Sequence, residues 1–415
     1  MKGKNTYKYT YINKIIIAVS FIIRIYYILI TTVGDRQHDL GYATSLHDDI
    51  VNPGHLGYVE YIAKFHHLPD FDPFSIFSYY HPPLHHVIGA VFVNIAHTLG
   101  IEEPATYEAI QLPTLIYSFI FILISYKILK MFDESERYIP LPLALIAFHP
   151  GLIYMTGSIN NDMMALMFTV LCIYSTLLWI DYGYKFCHLI CMALSIGFGL
   201  IAKPNVGVMA IPMGIIMLLH MMDEHREHRL KNVIGQYIIF AVISIPIGLS
   251  WTVRNIIRFR TKPGIPSPSM NQYIGDFSLW SNLGLTANLN LSFPFYSPNA
   301  TYNNNAWVIM FKSALFTEIW PSKLSGIGLF LCQAVYICSI ILAFICAYYC
   351  ILRPIRLIKN GQVKTGVFLL SGFITIIVTF ILFVLKYPYV CSCNFRYIGI
   401  SLLYSGLALI PYDRK

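Results

Sequence analysis

The sequence predicts an all-α, polytopic membrane protein, and three observations lead there. Hydrophobic residues make up 56% of the 415-residue chain and charged residues only 12%, against roughly a quarter charged in soluble domains. Many of the apolar residues fall in runs close to the ~17–25 residues needed to cross ~30 Å of hydrocarbon. The basic residues gather in short connections between those runs, as the positive-inside rule requires of cytoplasmic loops.

The clearest runs are Ile15–Thr32, Val87–Leu99, Ile110–Leu129, Ala165–Ile180, Gly207–Met222, Val233–Trp251, Ile327–Ile351 and Gly366–Leu385. The first follows Lys2, Lys4, Lys8 and Lys14, a basic start shared with signal peptides. It is too long for a signal core and no small-residue cleavage site follows, so it reads as a retained span. The lysine and arginine bias puts the N-terminus, the Asp223–Lys231 connection and the Arg353–Lys364 connection on the cytoplasmic side. At ~20 residues per crossing the chain predicts about 10–12 transmembrane helices. The early topology conflicts with this: Lys127, Lys130 and Arg137 ask for a cytoplasmic turn where two further full spans would place them outside. Either Leu84–Leu99 does not cross fully, or those residues break the rule.

No stretch has the polar, alternating character of a soluble domain, so residues 1–415 form a single transmembrane domain. A net charge of +8 distributed among short loops does not suggest nucleic acid. Most of the nine cysteines lie in apolar runs, where they act as small hydrophobes. Two outer connections, residues 34–81 and 254–323, exceed the ~12–15 residues beyond which a loop is usually functional. Within the second, Trp307–Phe316 is apolar but too short to span, which suits a re-entrant or interfacial segment.

The first loop is chemically dense. Eight of the fourteen histidines fall between Gly34 and His86: His38, His47, His55, His66, His67, His81, His85 and His86. Asp35, Asp39, Asp48, Asp49, Glu60, Asp70 and Asp72 share the stretch. Gly57–His67 predicts a short amphipathic helix, with Tyr58, Ile62 and Phe65 at helical spacing and Glu60 paired with Lys64 four residues on. Such a helix would lie on the membrane surface. The loop closes on Tyr79-Tyr80-His81-Pro82-Pro83-Leu84; proline is favoured in a helix's first turn, so the next helix begins there, with His81 at the interface and His85 in the first turn.

On these features the chain resembles the GT-C superfamily of membrane glycosyltransferases, and within it the family 39/83-like protein mannosyltransferases and aminoarabinose transferases. The motifs are the acidic first loop with its helix, the Tyr-His-Pro-Pro-Leu corner, Ile159-Asn160-Asn161-Asp162, Ala202-Lys203-Pro204-Asn205 and Phe395-Arg396-Tyr397. The resemblance implies a GT-C-like bundle with a long extracytoplasmic catalytic loop. It implies a polyprenyl-phosphate-linked sugar donor and transfer to a glycan, lipid or protein acceptor outside the cytoplasm. It also implies a catalytic carboxylate early in the first loop, here Asp39 or Asp49, and a second acidic residue opening a later span, here Asp162. The family's Asp-Glu pair leading into the loop helix is replaced by Gly54-His55, so Asp39 and Asp49 both stand.

Attack of a hydroxyl on an anomeric carbon needs one base to take the proton, and an inverting displacement needs no covalent intermediate. The departing phosphate needs positive charge where its own charge develops; Lys203, Arg254 and Arg396 are the candidates. His55, Tyr58 and Glu60 on the loop helix, with His81 and His85 at the corner, are the remaining candidate substrate contacts. No metal ligand set is assigned and no cofactor is required, although a corner histidine could hold a divalent metal ion. Alternative readings remain: Asn160-Asn161-Asp162 is also a helix N-cap signature, and the three cations could be snorkelling anchors. A transporter or lipid flippase, or an inactive envelope-assembly scaffold, are the competing functions; Arg24 is the one clear mid-span charge a translocation pathway could use. The expected location is the plasma membrane in a prokaryote or the endoplasmic reticulum in a eukaryote.

Overall fold

With no water in hydrocarbon to satisfy backbone amides, apolar stretches must close their hydrogen bonds within helices, and the chain does so. The computed structural model describes residues 2–38, 52–226, 230–262, 283–284, 291–295, 305–317, 321 and 324–411. Its helices are α1 (Lys2–Ile30), α2 (Gly54–Phe65), α3 (Leu84–Thr98), α4 (Gln111–Phe132), α5 (Pro140–Ala147), α6 (Pro150–Tyr154) and α7 (Asp162–Asp181). They continue as α8 (Phe186–Ala202), α9 (Ala210–Arg226), α10 (Leu230–Phe259), α11 (Ala306–Phe316), α12 (Ile327–Lys359), α13 (Val363–Lys386) and α14 (Ser401–Leu409). Among the described residues there is no strand. The protein is an integral, multi-pass, all-α membrane protein.

Among the described residues seven helices are long and apolar enough to cross a membrane: α1, α4, α7, α9, α10, α12 and α13. The α5 and α6 pair, bent by 49°, makes an eighth if taken as one span. The bundle has two ends. At one, Asn13 Nδ2 donates to Glu136 at 3.1 Å, Lys130 pairs with Glu136 at 2.7 Å, and Lys364 pairs with Asp223 at 2.7 Å. These are the connections whose basic residues predicted a cytoplasmic face. At the other, the Ile159 amide donates to the His38 carbonyl at 2.9 Å, and Asn161 Nδ2 donates to the Ala202 carbonyl at 2.7 Å. The 17-residue α8 runs between the two ends, and the 9-residue α14 descends beside α5, with Gly406 against Ile146 and Pro142. Length alone counts fewer than the expected 10–12 because several apolar stretches fold as short or broken helices.

The conflict in the early topology resolves at α3. Both of its flanks sit at the loop end: His85 Nε2 donates to the Ile159 carbonyl at 2.9 Å, while Glu108 accepts from the Val33 amide at 3.1 Å just after it. Thus α3 does not cross, and Lys127, Lys130 and Arg137 obey the positive-inside rule. Its buried residues His86, Gly89, Ala90, Val93 and Ala96 recur at helical spacing, and the helix packs mainly on α2 and on the turn Ala105–Ile110. A Cβ on Gly89 would stand 3.2 Å from Val59, so glycine permits the close approach of α2 and α3.

The loop helix also differs from its sequence reading. It starts at Gly54, three residues before Gly57, and buries His55, Leu56, Gly57, Tyr58, Val59, Tyr61 and Ile62. It is a buried layer beneath α3 rather than a helix lying free on the surface. Tyr79 holds it from behind, its hydroxyl donating to the Gly57 carbonyl at 2.7 Å. The Pro-Pro corner opens α3 at Leu84 as expected, with Pro83 as its N-cap residue.

Candidate active site

Three chain regions converge at the loop end around Asp162. Asn160 turns its side-chain oxygen onto the Asp162 amide at 2.9 Å, satisfying a free donor of the first turn of α7. Asn161 is committed to the Ala202 carbonyl, which brings the end of α8 against the start of α7. Capping is therefore done by Asn160, and the Asp162 carboxylate is left for another purpose. It forms a short ion pair with Lys203, the residue just after α8. Its other oxygen lies 3.6 Å from Arg396 Nε, in the short turn Phe395–Tyr397.

Burial makes this cluster more than a surface ion pair. The Asp162 side chain is 2% exposed, Lys203 10% and Arg396 19%, so neither cation is a snorkelling anchor. Lys203 Nζ also sits 5.2 Å from the centre of the Tyr397 ring. Two cations thus stand against this carboxylate at the N-terminus of α7, where the helix dipole also favours an anion.

Beside the cluster is a cavity of about 50 Å³, room for a few water molecules. Arg396, Asn160, Asn394, Gln37, Ser313 and Thr317 supply its polar lining. The short helix α11 from the second loop contributes one wall through Ser313, with Thr317 just after it. Asn305 caps it by accepting from the Trp307 amide at 2.9 Å, and Ser313 Oγ accepts from the Phe395 amide at 2.9 Å. The adjoining wall is α6, where a Cβ on Gly151 would stand only 2.9 Å from the Ala314 carbonyl and the Phe395 ring, too close for any side chain. Glycine is what lets α6, α11 and the Arg396 turn close on one another.

The first loop leaves α1 through a locked anchor. His38 accepts no exposure, its Nδ1 lying 2.7 Å from the Thr32 carbonyl and its Nε2 3.0 Å from the Tyr27 hydroxyl. A carbonyl can only accept, so Nδ1 carries the proton and Nε2 accepts from Tyr27. Burial pushes the His38 pKa below its ordinary value, against smaller upward pulls from the Thr32 carbonyl and Asp35. A Cβ at Gly157 would stand 2.6 Å from His38 Nε2, which explains glycine there. Asp39, the next residue, and Asp49 lie outside the described residues.

The remaining candidates form a second group. His81, His55, His86 and Tyr58 stack in sequence, with centroid separations of 5.0, 5.2 and 4.2 Å. His55 Nδ1 and His86 Nε2 are 2.9 Å apart. His85 adjoins His86 at 5.5 Å between ring centres and reaches the Ile159 carbonyl, so it links this stack to the segment carrying Asp162. Glu60 accepts from Asn52 Nδ2 at 3.1 Å, and burial raises its pKa despite that bond and one from Tyr107. Arg254 donates to the Pro69 carbonyl of the first loop and to its neighbour Asn255, and lies 4.9 Å from the Trp251 ring. The structure thus groups Asp162, Lys203 and Arg396, and places His55, Tyr58, Glu60, His81 and Arg254 in the α2–α3 layer.

Gln37, Asn394, Ser313 and Thr317 escaped sequence reading, because an isolated amide or hydroxyl in a loop carries no pattern. Among the described residues no group of three or more His, Cys, Asp or Glu side chains converges to hold a metal ion. The two nitrogens of His55 and His86 stand at ordinary hydrogen-bond distance, which does not by itself make a ligand set.

Comparison with known proteins bears on the same residues. Residues 80–251 match the model of the dolichyl-phosphate-mannose-protein mannosyltransferase family. That stretch holds the Pro-Pro corner, Asn160 to Asp162 and Lys203, and the match supports a glycosyltransferase of the GT-C superfamily. No curated protein matches by sequence. Among solved structures the chain is similar to ArnT from Cupriavidus metallidurans in the apo state, at 14% identity and a TM-score of 0.42, covering 95% of this chain and 75% of that one. It is likewise similar to ArnT from the same organism bound to undecaprenyl phosphate, at 15% identity and a TM-score of 0.42, covering 95% and 76%.

Proposed function

We propose that this GT-C-type chain transfers a sugar from a polyprenyl-phosphate-linked donor to an acceptor hydroxyl on the extracytoplasmic face of the membrane. The observation that carries the reading is the buried Asp162, Lys203 and Arg396 cluster, two cations held on one carboxylate beside a polar cavity. An anionic leaving group needs such charge held in place before it forms. The donor's lipid tail would stay among the spans, and only its headgroup need reach the loop end.

In this reading the acceptor oxygen attacks the anomeric carbon as the bond from that carbon to the phosphate oxygen breaks. The electron pair leaves with the polyprenyl phosphate, and the acceptor proton passes to a carboxylate of the first loop. The anomeric centre inverts. Asp162 is already committed to two cations, so its part is to hold Lys203 and Arg396 toward the phosphate. The base is then Asp39 or Asp49; the reading favours Asp39, whose chain neighbour His38 is hydrogen bonded to the Asp162 segment. His85, fixed on the Ile159 carbonyl, supports that segment from the other side. The reading uses no metal ion.

Transport has less support. Arg24, the mid-span charge it would need, is 1% exposed and bonded to Ser118 and the Ala147 carbonyl, each at 2.7 Å. It is engaged in holding helices, not facing a pathway.

The test is incorporation of labelled sugar from a polyprenyl-phosphate donor by wild type, Asp39→Asn and Asp49→Asn. Loss of transfer in Asp39→Asn with lipid binding retained is expected. Full activity in both variants would defeat the loop-base mechanism, and donor binding without turnover by wild type would favour a scaffold.

A further inference from the structure

The cavity wall contains a residue in an unfavourable state. Thr317 ends α11 with φ 49° and ψ −132°, a conformation open to glycine and closed to a residue with a branched Cβ. Its amide still donates to the Ser313 carbonyl at 3.2 Å, so the turn itself is satisfied. Its hydroxyl is not: Oγ1 is buried and has no hydrogen-bond partner. Glycine would serve the turn better, and valine would fill the same volume without an orphaned hydroxyl. The residue lines the same cavity as Arg396, Asn160 and Asn394.

Strain in the backbone and an unmet hydroxyl thus meet at one residue, in a cavity that Arg396 also lines. From this we infer that Thr317 is a ligand-binding residue whose hydroxyl donates a hydrogen bond to an oxygen of the donor headgroup. The inference rests on the proposed function for the nature of the donor, and names the contact. A phosphate oxygen and a sugar hydroxyl offer the same acceptor chemistry. Either would meet Thr317 Oγ1 while Arg396 supplies the charge.

The experiment compares full-length wild type with Thr317→Val, Thr317→Ser and Thr317→Gly, titrated with undecaprenyl phosphate and with dolichyl-phosphate mannose. Valine should weaken binding about tenfold or more, the loss expected for a hydrogen bond to a charged acceptor. Weakening of both lipids identifies the phosphate as the partner; weakening of the sugar-bearing lipid alone identifies the sugar. Serine should bind within about twofold of wild type, since it keeps the donor. Glycine should raise the thermal midpoint by relieving strain, yet bind as poorly as valine. Wild-type affinity for both lipids in the valine variant would overturn the assignment. So would a glycine variant that is stabilised and binds normally, because Thr317 would then be only a strained turn. If wild type itself binds neither lipid, the proposed function fails, and this contact with it.

Discussion

The Asp162–Lys203 pair allows structural and functional roles to be separated by charge. Asp162→Asn alone leaves Lys203 as a nearly buried ammonium, its side chain 10% exposed, facing an amide. Lys203→Met alone leaves a carboxylate that is 2% exposed, with Arg396 Nε 3.6 Å away. Breaking one partner of a buried pair typically costs ~3–5 kcal/mol, most of it from the charge left behind. Removing both removes the stranded charge, so the double variant should recover most of that loss, with a coupling energy on the order of 2 kcal/mol.

Transfer should not follow stability. If Lys203 meets the leaving phosphate, its loss removes a preorganised positive charge, and such a loss lowers turnover by roughly 10²–10³-fold. The double variant should therefore unfold like wild type in detergent and still fail to transfer sugar. Thermal midpoints and turnover with a polyprenyl-phosphate donor would be measured on all four proteins. A double variant that regains both stability and turnover would show that the pair is only a packing device. Single variants as stable as wild type would instead refute the energetic reasoning about the buried pair.

Two further outcomes are expected. Because the folded pKa of His38 lies below its ordinary value of about 6.5, the unfolded chain binds a proton first. The stability it contributes is complete above that value and is lost as pH falls through the lowered one. Thermal midpoints between about pH 5 and 8 should thus fall on acidification, and more weakly in His38→Gln, which cannot be protonated there. Arg24→Gln should loosen the broken span, raising hydrogen exchange in residues 147–158 above that of α7, while Arg24→Lys recovers only part, since one ammonium cannot reproduce the guanidinium fork. Equal exchange in all three proteins would remove Arg24 from that role.

How much of this was legible depended on whether a pattern or a distance carried it. The spans were legible because burial in hydrocarbon writes itself as long apolar runs. The failure of α3 to cross was half legible: Lys127, Lys130 and Arg137 exposed the conflict, but only the contacts of His85 and Glu108 show which side yields. The depth of α2 was not legible, because a helical stripe looks alike whether it meets lipid or protein. Tyr58, stacked between Tyr79 and His86, and Val59, against Gly89, are both fully buried in protein there. Asp162, Lys203 and Arg396 were each singled out, yet their union was not, since they come from three separate turns. Thr317 left no trace in the sequence at all; its backbone conformation and its unmet hydroxyl exist only in the fold.

The break between α5 and α6 connects these observations. In an unbroken helix the Ala147 carbonyl would accept from the amide four residues on, and Pro150 has no N–H to offer Ile146 in the same way. Arg24 supplies the missing donor to Ala147 at 2.7 Å, and it also donates to Ser118 Oγ, which in turn accepts from Thr156 Oγ1 at 3.2 Å. One guanidinium therefore reaches both sides of the 49° bend. Beyond the bend, His149 stacks on Phe395 at 4.8 Å, and Gly151 touches the same ring and the end of α11. A straight span would carry those residues away from the Arg396 turn and open the cavity wall that ends in Thr317. The mid-span charge that suggested translocation is, on this geometry, the means by which a kinked helix is held against the candidate site.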